Sequence, residues 1–527
     1  MSSILSDVDV NVVHETISKH EEAVLSLDTE IDALMRAIRQ LQYQKQQHLE
    51  EIKKCKGRIT LARRLPPEIL ASIFEECVLD GWTRTPLVAS HTCSSWRKAA
   101  YIPTVWSHIY VNLGARDPCQ RTRLWLDRSE DTLLTIDLEV GPDQTHLKNI
   151  MEVLLTEVQR WKVLTIKSTF FDPVNRILQT CNKPTPQLRT IDVSVDQEFI
   201  LAANNADDNA HELAGLRTSF VDAPLFRSLR ISRNILPGRQ TLPSSITNLY
   251  LRLPCHHPST TQSLSSILRL LEELPNIETL SMEVPNGHHQ HFQLDVEGGD
   301  SVELANLKSL TLMGSNNMFG FLPHVRVSSL THLVLRSSLD YFQAEEIGSW
   351  VLRFLQESSP PISLLEFRDL ALDSRVYHGL FAMLPLLEEL RLHDSDILDI
   401  MLEQLNGPQG LCPLLKRLDL RWCGRLSGRA VVELVRSRLR TDTDNADISS
   451  VSLPLAEITL INCSFVKEEN IVDLAEITVC RLIHRGQDDF CKAYGCCDNE
   501  RYRRRLKQRS MFHPSIRRSH AKFRLVF

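Results

Sequence analysis

One short pattern constrains this chain more than any other feature: an apolar residue, two others, an apolar residue, one other, and an apolar residue. It opens at "WSHIYV" (106–111) and returns as "LLTIDL" (133–138), "WKVLTI" (161–166) and "LRTIDV" (188–193). It continues as "FRSLRI" (226–231), "ITNLYL" (246–251), "IETLSM" (277–282), "LKSLTL" (307–312) and "LTHLVL" (330–335). Four more copies follow: "ISLLEF" (362–367), "LEELRL" (387–392), "LKRLDL" (415–420) and "LAEITL" (455–460). From Ile109 to Ile458 the mean spacing between central apolar residues is 29 residues. Apolar residues two apart are strand periodicity. Helical periodicity fills the gaps, most clearly in "HLKNIMEVLLTEVQRW", "LSSILRLLEELPN", "EEIGSWVLRFLQESSP" and "SGRAVVELVRSRL". Pro275, Pro360 and Pro385 fall where those helices must stop. A strand–helix unit cannot bury its apolar face alone, so stacked units are expected: an irregular α/β solenoid with parallel strands. The competing arrangement is an irregular α/β domain with no shared unit. So short a pattern also matches by chance, and about ten of the copies are expected to be genuine strands.

The N-terminal 60 residues carry a different period. Val10, Ile17, Val24, Ile31, Ile38, Lys45, Ile52 and Ile59 recur every seven residues, as do Val13, His20, Leu27, Leu34, Leu41, His48 and Cys55. β-Branched residues in one slot and leucine in the other favour a parallel two-stranded coiled coil. Lys45 and His48 weaken the seam locally, a device that fixes register at a cost in stability. The pattern leaves open whether the partner is a second copy, which would make a homodimer, or another protein. A single amphipathic helix packed on its own chain is the alternative.

Composition narrows the function. The chain has 527 residues, 43% apolar and 24% charged, with only 19 glycines. No phosphate-binding glycine loop, dinucleotide fingerprint, zinc-protease helix or nucleophile elbow occurs. No catalytic residues, cofactor or metal are therefore expected. "CHHP" (255–258) and "GHHQHF" (287–292) read as polar loops, and Cys491, Cys496 and Cys497 near His484 match no standard zinc spacing. Net charge is −6, but residues 501–527 hold ten Lys/Arg and no Asp/Glu, which leaves −16 on residues 1–500. Such a body repels nucleic acid, so a nucleic-acid partner is not expected, although the tail is suited to nuclear import. No apolar run approaches the roughly 18 residues that span a bilayer, so no membrane is expected either. The acidic N-terminus lacks the features of a secretory signal. Thirteen cysteines, mostly single and widely spaced, suit free thiols in the cytoplasm or nucleus.

Between heptads and repeats stands "RRLPPEILASIFEECV" (63–78). Ile69, Leu70, Ile73, Phe74, Cys77 and Val78 come in pairs every four residues and predict a short helix started by Pro66 or Pro67. A second helical pattern, "LVASHTCSSWRKAA", contains Val88 and Trp96, and "YIPTVWSHIYVNL" adds Trp106. Helices this short must lean on something else. Leu65-Pro66-Pro67-Glu68-Ile69-Leu70, Ile73-Phe74, Cys93-Ser94-Ser95-Trp96-Arg97 and Pro103-Thr104-Val105-Trp106 occur in order and together resemble an F-box, over residues 65–110. With the preceding coiled coil and the following repeats, the chain looks like the F-box-like proteins of mushroom-forming fungi. The repeats themselves resemble irregular leucine-rich repeats.

The resemblance implies a small three-helix F-box that docks on the Skp-type adaptor of a cullin–RING (SCF-type) ubiquitin ligase. Leu65, Pro66, Pro67, Ile69, Leu70, Ile73 and Phe74 would face that adaptor, while Val88, Trp96 and Trp106 would hold the helices together. Target-binding candidates on the later strands are Arg336, Arg391, Arg417, Asp419, Arg421 and Trp422. The expected organisation is a coiled-coil helix over 1–62, an F-box-like domain over 63–110, a leucine-rich-repeat-like solenoid over 111–485, and a basic disordered tail over 486–527. The expected function is substrate recognition for ubiquitin transfer. The alternative is a repeat scaffold unconnected to ubiquitin, with the helical segment as a solenoid cap.

Overall fold

The computed structural model describes residues 7–59, 65–195 and, with short interruptions, 216–483. The expected basic tail, both histidine-rich stretches and the cysteines near His484 lie outside the described residues. The chain forms two compact units, Met1–Val105 and Trp106–Phe527.

The first unit opens with α1 (Asp7–Ile59), 53 residues without a break and about 80 Å long. Every residue from Val10 to Lys56 is exposed, including both heptad slots. Three short helices follow: α2 (Pro67–Leu79), α3 (Thr85–Thr92) and α4 (Ser94–Ala100).

The second unit is built on one sheet of fourteen parallel strands in sequential order. They are β1 (His108–Asn112), β2 (Leu134–Val140), β3 (Trp161–Ser168), β4 (Thr190–Val195) and β5 (Ser228–Ser232). Next come β6 (Asn248–Arg252), β7 (Thr279–Glu283), β8 (Ser309–Gly314), β9 (His332–Ser337) and β10 (Leu364–Arg368). The last are β11 (Glu389–His393), β12 (Arg417–Arg421), β13 (Glu457–Ile461) and β14 (Val479–Ile483). The helices between them are α5 (Pro118–Arg128), α6 (Leu147–Leu154), α7 (Phe171–Thr180), α8 (Leu264–Glu272) and α9 (Ala344–Ser358). After β10 come α10 (Ser374–Ala382), α11 (Asp399–Glu403), α12 (Gly428–Leu439) and α13 (Glu468–Ala475). This is the repeat solenoid that the spacing predicts.

All thirteen copies of the pattern fall on strands, more than the ten expected. The central apolar residues stand in one register row: Ile109, Ile136, Leu164, Ile191, Leu229 and Leu249 pair in succession, then Leu280, Leu310, Leu333, Leu365, Leu390, Leu418 and Ile458. All are buried. Strand periodicity puts the intervening residues on the other face, which stays mostly half-buried. A fourteenth strand, β14, went unread because Cys480 occupies its central slot.

The later strands end alike. Asp369, Asp394, Trp422 and Asn462, each the residue just after a strand, are left-handed, with φ of 56°, 52°, 58° and 54°. The Asp369, Asp394 and Trp422 amides donate to the carbonyls of His393, Arg421 and Ile461 on the next strand, at 2.9, 2.7 and 2.8 Å. The Cys423 thiol, just past its corner, donates back to the Leu392 carbonyl at 3.3 Å, and Cys463 to Leu420 at 3.5 Å. Each thiol thus meets a carbonyl of the preceding repeat.

Candidate docking surfaces

α2 begins where Pro66 and Pro67 pre-set the backbone, with Leu70 N–H donating to the Pro66 carbonyl at 3.1 Å. Glu68 lies in its positive first turn. It stops at Gly81, whose φ of +96° a side chain would resist. Leu70, Ala71, Phe74 and Val78 form the buried stripe. Phe74 meets Trp96 of α4 at 5.2 Å between ring centroids. α3 contributes Pro86 and Ala89, α4 contributes Ala99 and Ala100, and the Thr104 hydroxyl donates to the Glu75 carboxylate. Cys93, in extended geometry, breaks α3 from α4, and Arg97 Nε ties them by donating to the Ser90 carbonyl at 2.7 Å.

The unburied side of α2 sets two isoleucines among Glu68, Ser72 and Glu76. Ile69 and Ile73, four residues apart on one face, are 49% and 43% exposed, and Pro66 and Pro67 are exposed beside them. Leu65 is half-buried. Leu79 and Trp82, at the end of α2, are also exposed. The sequence reading passed over them, although a tryptophan in the polar turn "DGWTRTP" was a signal.

Four of the positions expected in this segment need correction. Leu70 and Phe74 do not face outward; they are the core of the helical unit, because α2 carries two apolar stripes and only one can turn inward. Val88 is 61% exposed and holds nothing together, since α3 turns Pro86 and Ala89 inward instead. Trp106 is buried in the second unit, edge-on to Trp125 of α5 at 5.0 Å.

Residues 62–112 match the F-box-like family model. The F-box-like domain therefore spans α2, α3, α4, the turn to Trp106 and β1. Its four sequence blocks map onto the start of α2, the middle of α2, the α3–α4 break and the turn before β1. No curated protein matches the chain. Two of the solved structures similar to it illustrate the level of likeness. One is a chain of the yeast Rad7 and Elc1 complex, 13% identical, covering 84% of this chain and 98% of that chain at a TM-score of 0.31. The other is a Bacteroides fragilis protein, 12% identical, covering 62% of this chain and 79% of that chain at a TM-score of 0.29. Similarity at this level carries neither fold nor function.

A second surface is the outer face of the sheet. On β9 to β12 it is a ladder of alternating charge. Arg336 donates to Glu366 at 3.0 Å, and Arg391 reaches Glu366 at 3.4 Å and Glu389 at 2.5 Å. Arg417 donates to Glu389 at 2.7 Å, and Arg421 grips Asp419 at 2.5 and 2.8 Å. His393 lies between Glu366 and Asp419, at 3.7 and 3.5 Å. Burial pushes the Asp419 carboxyl up, but the His393 imidazole beside it and the Arg421 guanidinium outweigh that and hold its pKa down to about 2. Burial likewise raises Glu389, and Arg417 and Arg391 more than offset it. Arg336, Arg391, Arg417, Asp419 and Arg421 thus share one face, each already engaged by a neighbour. Trp422 does not join them. It follows Leu418 and Leu420 in strand alternation and occupies the left-handed corner after β12, 5% exposed.

On β1 to β7 the same face is milder. His108 bonds Asp137 at 2.7 Å, Tyr110 donates to Glu139, Tyr250 donates to Glu283, and the Arg230 guanidinium lies 5.7 Å over the Tyr250 ring. Among the described residues no group of three or more His, Cys, Asp or Glu side chains is placed to hold a metal ion. Among them, too, no helix is long and apolar enough to cross a membrane.

Proposed function

We propose that this chain is a substrate-recognition subunit of a cullin–RING ubiquitin ligase. The F-box-like domain docks on a Skp-type adaptor, and the outer face of the repeat sheet holds a target protein. The observation that carries this reading is the exposed Pro66–Ile69–Ile73 stripe on the F-box-like domain, backed by buried Leu70 and Phe74, the latter against the half-buried Trp96 ring. Aliphatic anchors on a pre-formed surface are where binding energy concentrates. The chain does no chemistry of its own in this reading. It raises the effective concentration of a target beside the ubiquitin-conjugating enzyme.

The pre-paired ladder on β9 to β12 suits a target with charges of both signs, which can exchange partners without leaving a buried charge bare. The cysteines fit a reducing compartment, cytoplasm or nucleus. All nine described ones are free, and burial pushes Cys181 and Cys412 up to about 12, so those thiols stay protonated and inert.

Adaptor capture by the full chain tests the proposal. Wild-type protein should retain purified adaptor, and Pro66→Ala/Ile69→Ala/Ile73→Ala should weaken capture at least tenfold with an unchanged melting curve. A wild-type chain that retains no adaptor would overturn the ligase reading and leave a repeat scaffold.

A further inference from the structure

α1 presents an apolar seam about 80 Å long to water. Ile17, Val24, Leu27, Ile31, Leu34 and Ile38 are 47% to 58% exposed along it. A stripe this long on an otherwise polar helix marks an interface. We infer that a second copy of this chain covers it, as a parallel, in-register two-stranded coiled coil.

Three observations select that occupant. The first is slot chemistry. One seam position holds Val10, Ile17, Val24, Ile31, Ile38 and Ile52, and the other holds leucine at 27, 34 and 41. β-Branched residues in the first slot and leucine in the second specify two parallel strands. The second is size. Seven heptads with four seam and flank positions each give about 28 residues per side, within the roughly 20–30 of a stable interface.

The third is charge. In a parallel pair, each residue before the first slot faces the residue five places on in the other copy. The facing pairs are Thr16 with Glu21, Ala23 with Asp28, Glu30 with Met35, Ala37 with Gln42, Gln44 with Leu49, and Glu51 with Lys56. None of these flanking pairs sets like charges together, and the last is attractive, so the flanks accept a second copy. Register follows from Lys45. Slipping one heptad would press each Lys45 ammonium against Ile38 or Ile52 of the other copy, whereas in register the two share one hydrated layer.

This inference does not rest on the ligase reading. It makes one sharp geometric statement: Cys55, exposed and in the second slot, faces Cys55 of the other copy. Antiparallel packing would set it against the N-terminal end instead.

The test uses the full chain at low micromolar concentration, with sedimentation equilibrium and a short bismaleimide crosslinker. Wild type should sediment as a dimer and yield a covalent dimer. Cys55→Ser should keep the dimer mass and lose the crosslink at least tenfold. Ile31→Asn/Leu34→Asn should weaken dimerisation at least tenfold without moving the melting curve of the repeat unit. A wild-type monomer at tens of micromolar would overturn the inference. A dimer whose crosslinking ignores Cys55→Ser would overturn its parallel register.

Discussion

Arg438 carries its charge deep into the second unit, where it is 2% exposed. Its guanidinium donates to the carbonyls of Leu405, Leu411, Cys412, Leu415 and Leu453, at 2.8 to 3.4 Å. Burial lowers its pKa to about 10, so it stays charged at neutral pH. Arg438→Met should cost about 3 kcal/mol, because it strands several buried acceptors at once. Arg438→Lys should recover only part of that, since an ammonium lacks the planar fork. Thermal unfolding of both variants checks this. Asp419 gives a second residue-scale prediction. Its folded pKa is depressed, so its stabilisation is present above the unfolded value near pH 4 and is lost as pH falls through about 2. Allowing for partial solvent screening, the loss is about 1–2 kcal/mol. Asp419→Asn should remove that acid-dependent component from denaturant titrations between pH 4 and pH 2. Little at this scale was legible in the sequence. Nothing in "VVELVRSRLR" separates Arg438 from Arg436, whose side chain is 49% exposed. The difference lies in carbonyls 15 to 33 residues away in sequence.

At the scale of the element, strands were far easier to read than faces. A strand has two sides, and alternation fixes both, which is why every copy of the apolar pattern became a β-strand with its central residue inward. α2 has two apolar stripes at identical spacing, Leu70–Phe74–Val78 and Ile69–Ile73. Spacing cannot rank them; only the small residues of α3 and α4 and the Trp96 ring decide which turns inward. Phe74→Ala should therefore destabilise the F-box-like domain by about 3–5 kcal/mol. Ile73→Ala should change its stability by about 0.5 kcal/mol or less while weakening adaptor capture. Limited proteolysis alongside the capture assay separates the two effects. Trp422 went astray for a different reason. In "LDLRWC" it alternates with Leu418 and Leu420, the inward residues, and not with Arg417, Asp419 and Arg421, so alternation itself excludes it from the ladder, and the left-handed corner after Arg421 leaves it buried.

For the molecule as a whole, architecture was legible because it repeats. One period, read from about a dozen short copies, predicts parallel order, neighbour pairing and the buried face together. The F-box-like segment was legible from its motif, and the single exposed helix before it from its heptads. What the sequence withheld was how the outer face pairs its charges, since that depends on register between strands some 25–40 residues apart. Each strand of the sheet pairs only with its sequence neighbours, so damage should stay local. Leu310→Ala, in the middle of the apolar row, should cost about 2–5 kcal/mol. It should erase hydrogen-exchange protection in β7, β8 and β9 while leaving β1 to β3 protected. The same sequential order has a mechanical corollary. Tension applied to the two ends of the sheet meets its repeats one after another, since each strand is held only by its sequence neighbours. The unit should lengthen as a chain of small yielding steps, each releasing about 100 Å of polypeptide, and behave less like a rod than like a spring with a built-in force limit.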